Sequence, residues 1–105
     1  MQISAIEFLK LIKAKGRQLK FTKHAINRAE KRLMQLSLCR VELCTKTPAM
    51  VQEQASEVPF ERQFNVYYAQ DNDKFHRYVI ALNSTIRVIT MMRISKNLQL
   101  SWRYK

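Results

Sequence analysis

Glycine and proline are scarce in this chain, with one Gly and two Pro among 105 residues. Both residue types interrupt regular structure, so their scarcity favours long helices and strands with short connections. One glycine also cannot form a glycine-rich loop around a phosphate group, which excludes the usual nucleotide-binding loops. Apolar residues make up 47% of the chain, enough to build a core, and this composition argues against disorder.

Cysteine and acidic residues are also few. The two cysteines, Cys39 and Cys44, lie on one predicted helix at a spacing that does not bring their side chains together for a disulfide. No second pair of Cys or His residues completes a zinc site. The eight Asp and Glu residues are too scattered for the paired carboxylates of a glycosidase. We therefore expect reduced thiols, no metal and no cofactor.

Long apolar runs are missing as well. Charged residues break every apolar stretch well before the roughly 18 residues that a membrane-spanning helix needs. The first residues, Met1 to Lys13, lack the apolar block of a signal peptide. The sequence therefore predicts a cytoplasmic protein without a membrane partner.

Basic residues are abundant: nineteen Lys and Arg against eight acidic residues give a net charge of +11. Such an excess attracts polyanions, and the release of counterions from phosphates supplies binding free energy. The charge therefore predicts a nucleic-acid partner, RNA before DNA. Two alternatives stay open: an acidic protein partner, and a basic surface with no role in binding.

Three helices are predicted in the first half of the chain. Ser4, Thr22 and Ser37 are the expected N-caps, because their side chains can accept hydrogen bonds from the first backbone N–H groups. The apolar positions of helical period predict the buried faces. These faces are Ile6, Leu9 and Ile12 in the first helix, Ala25, Ile26, Ala29, Leu33 and Leu36 in the second, and Leu38, Val41 and Cys44 in the third.

From Met50 onward the apolar period changes from that of a helix to that of a strand. Strands are predicted at 50–54, 63–68, 75–82, 86–94 and 98–104, and the short polar turns between them favour an antiparallel meander. Helices followed by strands are typical of an α+β domain. We expect a single domain over residues 1–105, with two to three helices on one side of a four- to five-stranded antiparallel sheet.

The start of the second predicted helix carries the pattern His-Ala-x-x-Arg-x-x-x-Arg, formed by His24, Ala25, Arg28 and Arg32. This pattern resembles the opening of a family of small bacterial and archaeal domains related to the RelE and ParE toxins. Two further features are similar: Thr-Pro at 47–48, where the helical part ends, and a β-branched strand at 86–90 that ends in Thr. The resemblance implies a RelE-like fold and metal-independent RNA cleavage. Some relatives poison gyrase instead.

The residues themselves can also be matched to RNA cleavage without a metal. That reaction needs a base for the 2′-hydroxyl, an acid for the departing 5′ oxygen and cations for the phosphate. His24 is the candidate base, since the positive end of a helix disfavours its imidazolium, and His76 is the candidate acid. Arg28 is the third candidate catalytic residue, as a phosphate ligand.

Further basic residues are candidates for nucleic-acid binding. They are Lys23, Lys31, Arg32, Arg77, Arg87 and Arg93. The spacing of Arg87 and Arg93 on one strand predicts a common face, where they could form a basic sheet surface with Arg77.

Each candidate residue also has a structural interpretation. A histidine in a first helical turn can simply bond the backbone, a strand histidine can be a cross-strand partner, and the arginines of the helix can form a solvated face. Three hypotheses therefore stay open: a RelE-like domain that binds and cleaves RNA, a non-catalytic module that binds RNA or DNA, and an interaction protein that docks an acidic partner such as an antitoxin.

Overall fold

The computed structural model describes residues 2–15, 18–70 and 74–95 of the chain. Within these residues the chain forms three helices and six strands. In chain order they are β1 (Gln2–Ile3), α1 (Ala5–Lys15), β2 (Leu19–Phe21), α2 (Lys23–Lys31), α3 (Leu36–Thr45), β3 (Met50–Gln54), β4 (Arg62–Ala69), β5 (Lys74–Leu82) and β6 (Ile86–Ser95). None of the described helices is long and apolar enough to cross a membrane.

The six described strands form one mixed sheet in the order β1-β3-β4-β5-β6-β2. Neighbours from β3 to β6 are antiparallel, β1 is antiparallel to β3, and β2 is parallel to β6. The expectation of a purely antiparallel sheet of four to five strands is therefore wrong. The two additional strands have two and three residues, too few to show an alternating pattern in the sequence. The strand predicted at 98–104 lies outside the described residues.

All three helices contribute to one core on one face of the sheet. Phe8 of α1, Ala25 of α2 and Leu43 of α3 are fully buried within a single apolar cluster. The sheet supplies alternate residues of its strands to the same cluster, among them Val51, Phe64, Val66, Tyr78, Ile80 and Val88. The opposite face of the sheet carries no described helix.

The N-caps of the first two helices are confirmed. Oγ of Ser4 accepts a hydrogen bond from the backbone N–H of Glu7 at 3.1 Å. Oγ1 of Thr22 accepts one from the N–H of Ala25 at 3.1 Å, and its hydroxyl donates to the carbonyl of Ile89 in β6. Thr22 thus begins α2 and also fixes that end of the helix to the sheet.

The third helix presents a different face to the core than the sequence predicts. Leu38 and Val41 are exposed, whereas Cys39, Glu42 and Leu43 are buried. The helix begins two residues earlier than expected, with Gln35 as its N-cap instead of Ser37. The buried face contains a carboxylate, and a charged residue is assigned to the surface unless its partners are known.

The end of α2 explains why Leu33 lies outside the core despite the helical pattern. The N–H of Met34 donates to the carbonyl of Ala29 at 2.9 Å, and the N–H of Leu33 donates to that of Glu30 at 3.3 Å. These two bonds form a Schellman motif, which places Leu33 in the left-handed region with a φ of 54°. The chain reverses there, so Met34 is buried and Leu33 is exposed.

Two other positions predicted to be buried are exposed as well. They are Ile6 on α1 and Ile26 on α2. The apolar stripe predicted for each helix is wider than the strip that the sheet covers, because a helix buries only the side that faces its neighbours.

A bulge in β6 decides where its arginines point. The register between β5 and β6 shifts next to Val79, and Ile89 is an extra residue without a cross-strand partner. One extra residue reverses the alternation of side chains beyond it. Arg87 and Arg93 therefore lie on opposite faces of the sheet, and the predicted common face is wrong. Arg93 is on the face that the helices cover, whereas Arg77 and Arg87 are on the other face.

Candidate active site

A cavity of about 530 Å³ opens between α3, the start of β5 and the end of β6. Cross-strand pairing brings distant positions together here, since His76 is the direct partner of Arg93 in the sheet. The polar side chains that line the cavity are Gln35, Glu42, Lys46, Gln70, His76, Tyr78 and Arg93.

Glu42 is the centre of a hydrogen-bond network in this cavity. Its Oε1 accepts hydrogen bonds from the Tyr78 hydroxyl at 2.7 Å and from Nδ1 of His76 at 2.8 Å. Its Oε2 accepts one from Nε2 of Gln70 at 2.7 Å and lies 3.6 Å from Nζ of Lys46. The Glu42 side chain is only 5% exposed, and a carboxylate can be buried to this extent because its oxygens are satisfied.

The same contacts keep Glu42 ionised. Burial alone would raise its pKa, but the hydrogen bonds from His76, Tyr78 and Gln70 outweigh that effect and lower the pKa from 4.5 to about 2. Burial, together with hydrogen bonds to Cys39 and Glu42, raises the pKa of Tyr78. At neutral pH Glu42 is therefore a carboxylate, and the Tyr78 hydroxyl is a donor to it.

Cys39 also lines the cavity, but as a thiol. Burial raises its pKa, and its Sγ packs 3.7 Å from Sδ of Met91. The thiolate is the nucleophilic form of cysteine, so a raised pKa makes Cys39 a poor nucleophile.

The Glu42 contact fixes which ring nitrogen of His76 is available for chemistry. An ionised carboxylate only accepts hydrogen bonds, so the proton of a neutral His76 lies on Nδ1, the nitrogen that contacts Glu42. Nε2 then carries the free lone pair, and no described residue forms a hydrogen bond with it. The His76 side chain is 21% exposed, which leaves part of the ring accessible from the cavity.

Two cations lie at the same cavity. Arg93 is exposed, and one of its guanidinium nitrogens donates to the carbonyl of Leu33 at 3.3 Å. Lys46 is 59% exposed at the C-cap of α3. A histidine that can accept a proton, beside two cations that can bind an anionic group, is an arrangement suited to acid–base chemistry on a phosphate ester.

The basic residues predicted on α2 lie outside the lining of this cavity. Nε of Arg28 lies 3.4 Å from Nε2 of His24, one helical turn away on the surface. Lys23 and Lys31 are exposed on the same helix. His24 and His76 therefore do not line a common cavity, although the sequence pairs them as base and acid.

Two arginines join α2 to the strand that reaches the cavity. Arg32 donates to the carbonyl of Met91 at 2.7 Å, and Arg93 of β6 donates back to Leu33 at the end of α2. Arg32 thus links the helix to the sheet, whereas its spacing in the sequence suggests only a place on a solvated face.

Arg77 and Arg87 point away from this site. Arg77 donates to Oδ1 of Asn65 at 3.2 Å, and Arg87 forms an ion pair with Glu61 at 2.7 Å. Both contacts lie on the face opposite the helices, so these residues do not form a basic surface with Arg93.

Sequence reasoning misses the central residue of the site, Glu42, together with Gln70 and Tyr78. The partners of Glu42 lie 28 to 36 residues away along the chain, and only the strand register brings them to α3. One local signal exists: Lys46 follows Glu42 by four residues, the spacing of an ion pair along a helix.

Comparison of the chain with protein-family models, with curated proteins and with solved structures finds no match. The resemblance to RelE- and ParE-like toxins therefore stays a prediction from the short pattern at the start of α2.

Proposed function

We propose that the protein binds RNA and cleaves it without a metal ion, at the cavity that contains His76. One observation carries the proposal: the ionised Glu42 accepts a hydrogen bond from the Nδ1–H group of a neutral His76 at 2.8 Å, which leaves the lone pair of Nε2 free to accept a proton. A buried carboxylate orients the catalytic histidine of serine hydrolases in the same way and stabilises the imidazolium that forms.

In the proposed reaction, Nε2 of His76 accepts the proton of a ribose 2′-hydroxyl. The 2′ oxygen attacks the adjacent phosphorus, and the bond from phosphorus to the 5′ oxygen breaks. The departing oxygen takes a proton from the ammonium of Lys46, which regains one from solvent as His76 releases its own. The products are a 2′,3′-cyclic phosphate and a free 5′-hydroxyl. DNA lacks the 2′-hydroxyl, so it binds without being cleaved.

The cations have two roles in this proposal. Arg93 and Lys46 stabilise the negative charge that builds up on the phosphate during attack. The exposed Lys23 and Lys31 of α2, together with the half-buried Arg28, bind neighbouring phosphates of the strand, and the net charge of +11 draws the polyanion to the surface. RNA is proposed over DNA because the histidine has a hydroxyl to activate only in RNA.

The test incubates purified protein with labelled RNA in EDTA and compares His76→Ala with the unmodified chain. We expect His76→Ala to lower the cleavage rate by about a hundredfold or more, with little change in RNA affinity. Equal cleavage by the two proteins would exclude His76 as the base, and activity that requires added magnesium would exclude the metal-free reaction.

The chain offers a matched pair of variants for the phosphate ligand. Arg93 and Arg87 belong to the same strand but lie on opposite faces of the sheet. Arg93→Ala should lower the cleavage rate about a hundredfold, whereas Arg87→Ala should leave it unchanged. Equal losses in both variants would place the cleavage site elsewhere. Salt-dependent RNA binding without any cleavage would favour the non-catalytic binding module.

A further inference from the structure

Three large apolar side chains are exposed at the cavity instead of being buried in the core. Leu33, Leu38 and Val41 are 84%, 62% and 52% exposed, and all three line the cavity beside the cations. Single apolar residues on a surface are ordinary, but a contiguous group at the entrance of a charged cavity is typical of a ligand-binding surface. We call these three residues the apolar shelf.

Leu33 is held at a backbone position where leucine is unfavourable. Its φ of 54° is at the helix-ending position that glycine most often occupies, because a Cβ there crowds the backbone. Its side chain gains no burial in return, since it is largely exposed. The Schellman motif at the end of α2 fixes this conformation, and it leaves the leucine side chain exposed at the cavity, where a ligand can contact it.

We propose that the apolar shelf holds an unpaired base of the RNA strand whose phosphate binds at Arg93, so that the cavity takes single-stranded RNA and rejects duplex. This inference rests on the proposed function. A base has a flat, weakly polar face that packs on apolar side chains, and its phosphate needs cations nearby. The cavity supplies both, because Arg93 donates to the carbonyl of Leu33 and its charge therefore lies directly beside the shelf.

The shelf's position explains the preference for an unpaired strand. Bases of an A-form duplex are stacked and paired, and the major groove is too deep and narrow for side chains to reach them. A base can enter a cavity between α3 and the sheet only if it is unpaired. A loop, a bulge or a strand end meets that condition.

The test measures the dissociation constant of a short single strand with 2′-deoxy sugars, which cannot be cleaved, and of the same strand without its bases. Removal of the bases keeps every phosphate, so it separates the contribution of the shelf to binding from that of the cations. For the unmodified chain we expect the strand without bases to bind about fivefold or more weakly. The intact strand annealed to its complement should bind more weakly than it does alone.

Leu33→Gly and Leu38→Ala should each weaken binding of the intact strand and reduce the difference between the two strands. Leu33→Gly is especially informative, because glycine suits the backbone there and misfolding is not a competing explanation. Phe60→Gly is the matched control. Phe60 is also fully exposed, with a φ of 62°, but it lies on the turn between β3 and β4 and does not line the cavity. Its replacement should leave both affinities unchanged.

Equal affinity for the strands with and without bases would overturn the shelf as a base-binding surface, and so would equal losses in Leu33→Gly and Phe60→Gly. Dimerisation of the unmodified chain that Leu38→Ala abolishes would show that a second copy covers the shelf, and would also overturn the inference. The proposed function is tested apart from this, by cleavage of RNA in EDTA. Base-dependent binding without cleavage would support the shelf as a base-binding surface and contradict the proposed cleavage reaction.

Discussion

The ionised carboxylate of Glu42 should make a pH-dependent contribution to the free energy of unfolding. One substitution should remove that contribution. The pKa of Glu42 is about 2 in the folded chain, against 4.5 for an unperturbed glutamate. Because folding lowers this pKa, the stabilisation is fully present above a pH of 4.5 and is lost as the pH falls through about 2. A pKa shift of one unit corresponds to about 1.4 kcal/mol, so the carboxylate contributes on the order of 3 kcal/mol to the free energy of unfolding.

Glu42→Gln replaces the carboxylate by a neutral group of the same shape that also carries an N–H₂ donor. The new N–H₂ group would then face the N–H donor of Gln70 or of His76. The negative charge that strengthens both hydrogen bonds would also be absent. We expect the free energy of unfolding to fall by on the order of 3 kcal/mol at pH 7. The difference from the unmodified chain should shrink as the pH is lowered from 4.5 to about 2.

Urea unfolding followed by circular dichroism at a series of pH values measures this difference. Glu57→Gln is the control, since Glu57 is exposed on the connection between β3 and β4, and it should change stability by no more than about 0.5 kcal/mol. The reasoning is refuted if Glu42→Gln is as stable as the unmodified chain at pH 7. A difference that stays constant down to pH 2 would refute it too.

Contacts at the end of α2 and the basic surface can be tested by two substitutions and a salt titration. Leu33→Gly should raise the free energy of unfolding by about 1 kcal/mol and the Tm by about 4–8 °C in a thermal melt, because it relieves the left-handed leucine; an unchanged or lower Tm contradicts this. Arg32→Ala should lower the free energy of unfolding by about 1.5 kcal/mol or more, because it removes the hydrogen bond to the carbonyl of Met91. Arg28→Ala should change it by only about 0.5 kcal/mol in urea unfolding. Equal effects of the two substitutions would contradict a role of Arg32 in joining α2 to β6. Nucleic-acid affinity measured against salt should give a log–log slope of nearly one for each phosphate contact, and a flat line would contradict an electrostatic interface.

Local features of the fold could be predicted from the sequence. The caps at Ser4 and Thr22 depend on residues within three positions of each other, and the structure contains both hydrogen bonds. The strands from β3 to β6 follow from alternation and from polar turns, which are also local signals. The two short edge strands were missed because two or three residues cannot show a period.

Features that depend on pairing between distant residues could not be predicted. The bulge at Ile89 follows from how β5 and β6 align, and it separates Arg87 from Arg93 although their spacing predicts one face. The buried face of α3 was assigned wrongly for a related reason. Glu42 can be buried only because His76 and Tyr78 meet it from β5, and nothing near Glu42 in the sequence announces those partners.

The end groups of RNA cleaved by the purified chain in EDTA test the central proposal most directly. If His76 activates the 2′-hydroxyl, the 5′ fragment should end in a 2′,3′-cyclic phosphate, the 3′ fragment should begin with a free 5′-hydroxyl, and 2′-deoxy substitution at the cleaved position should abolish the reaction. An intact strand, or a fragment that begins with a 5′-phosphate, would contradict the proposed reaction.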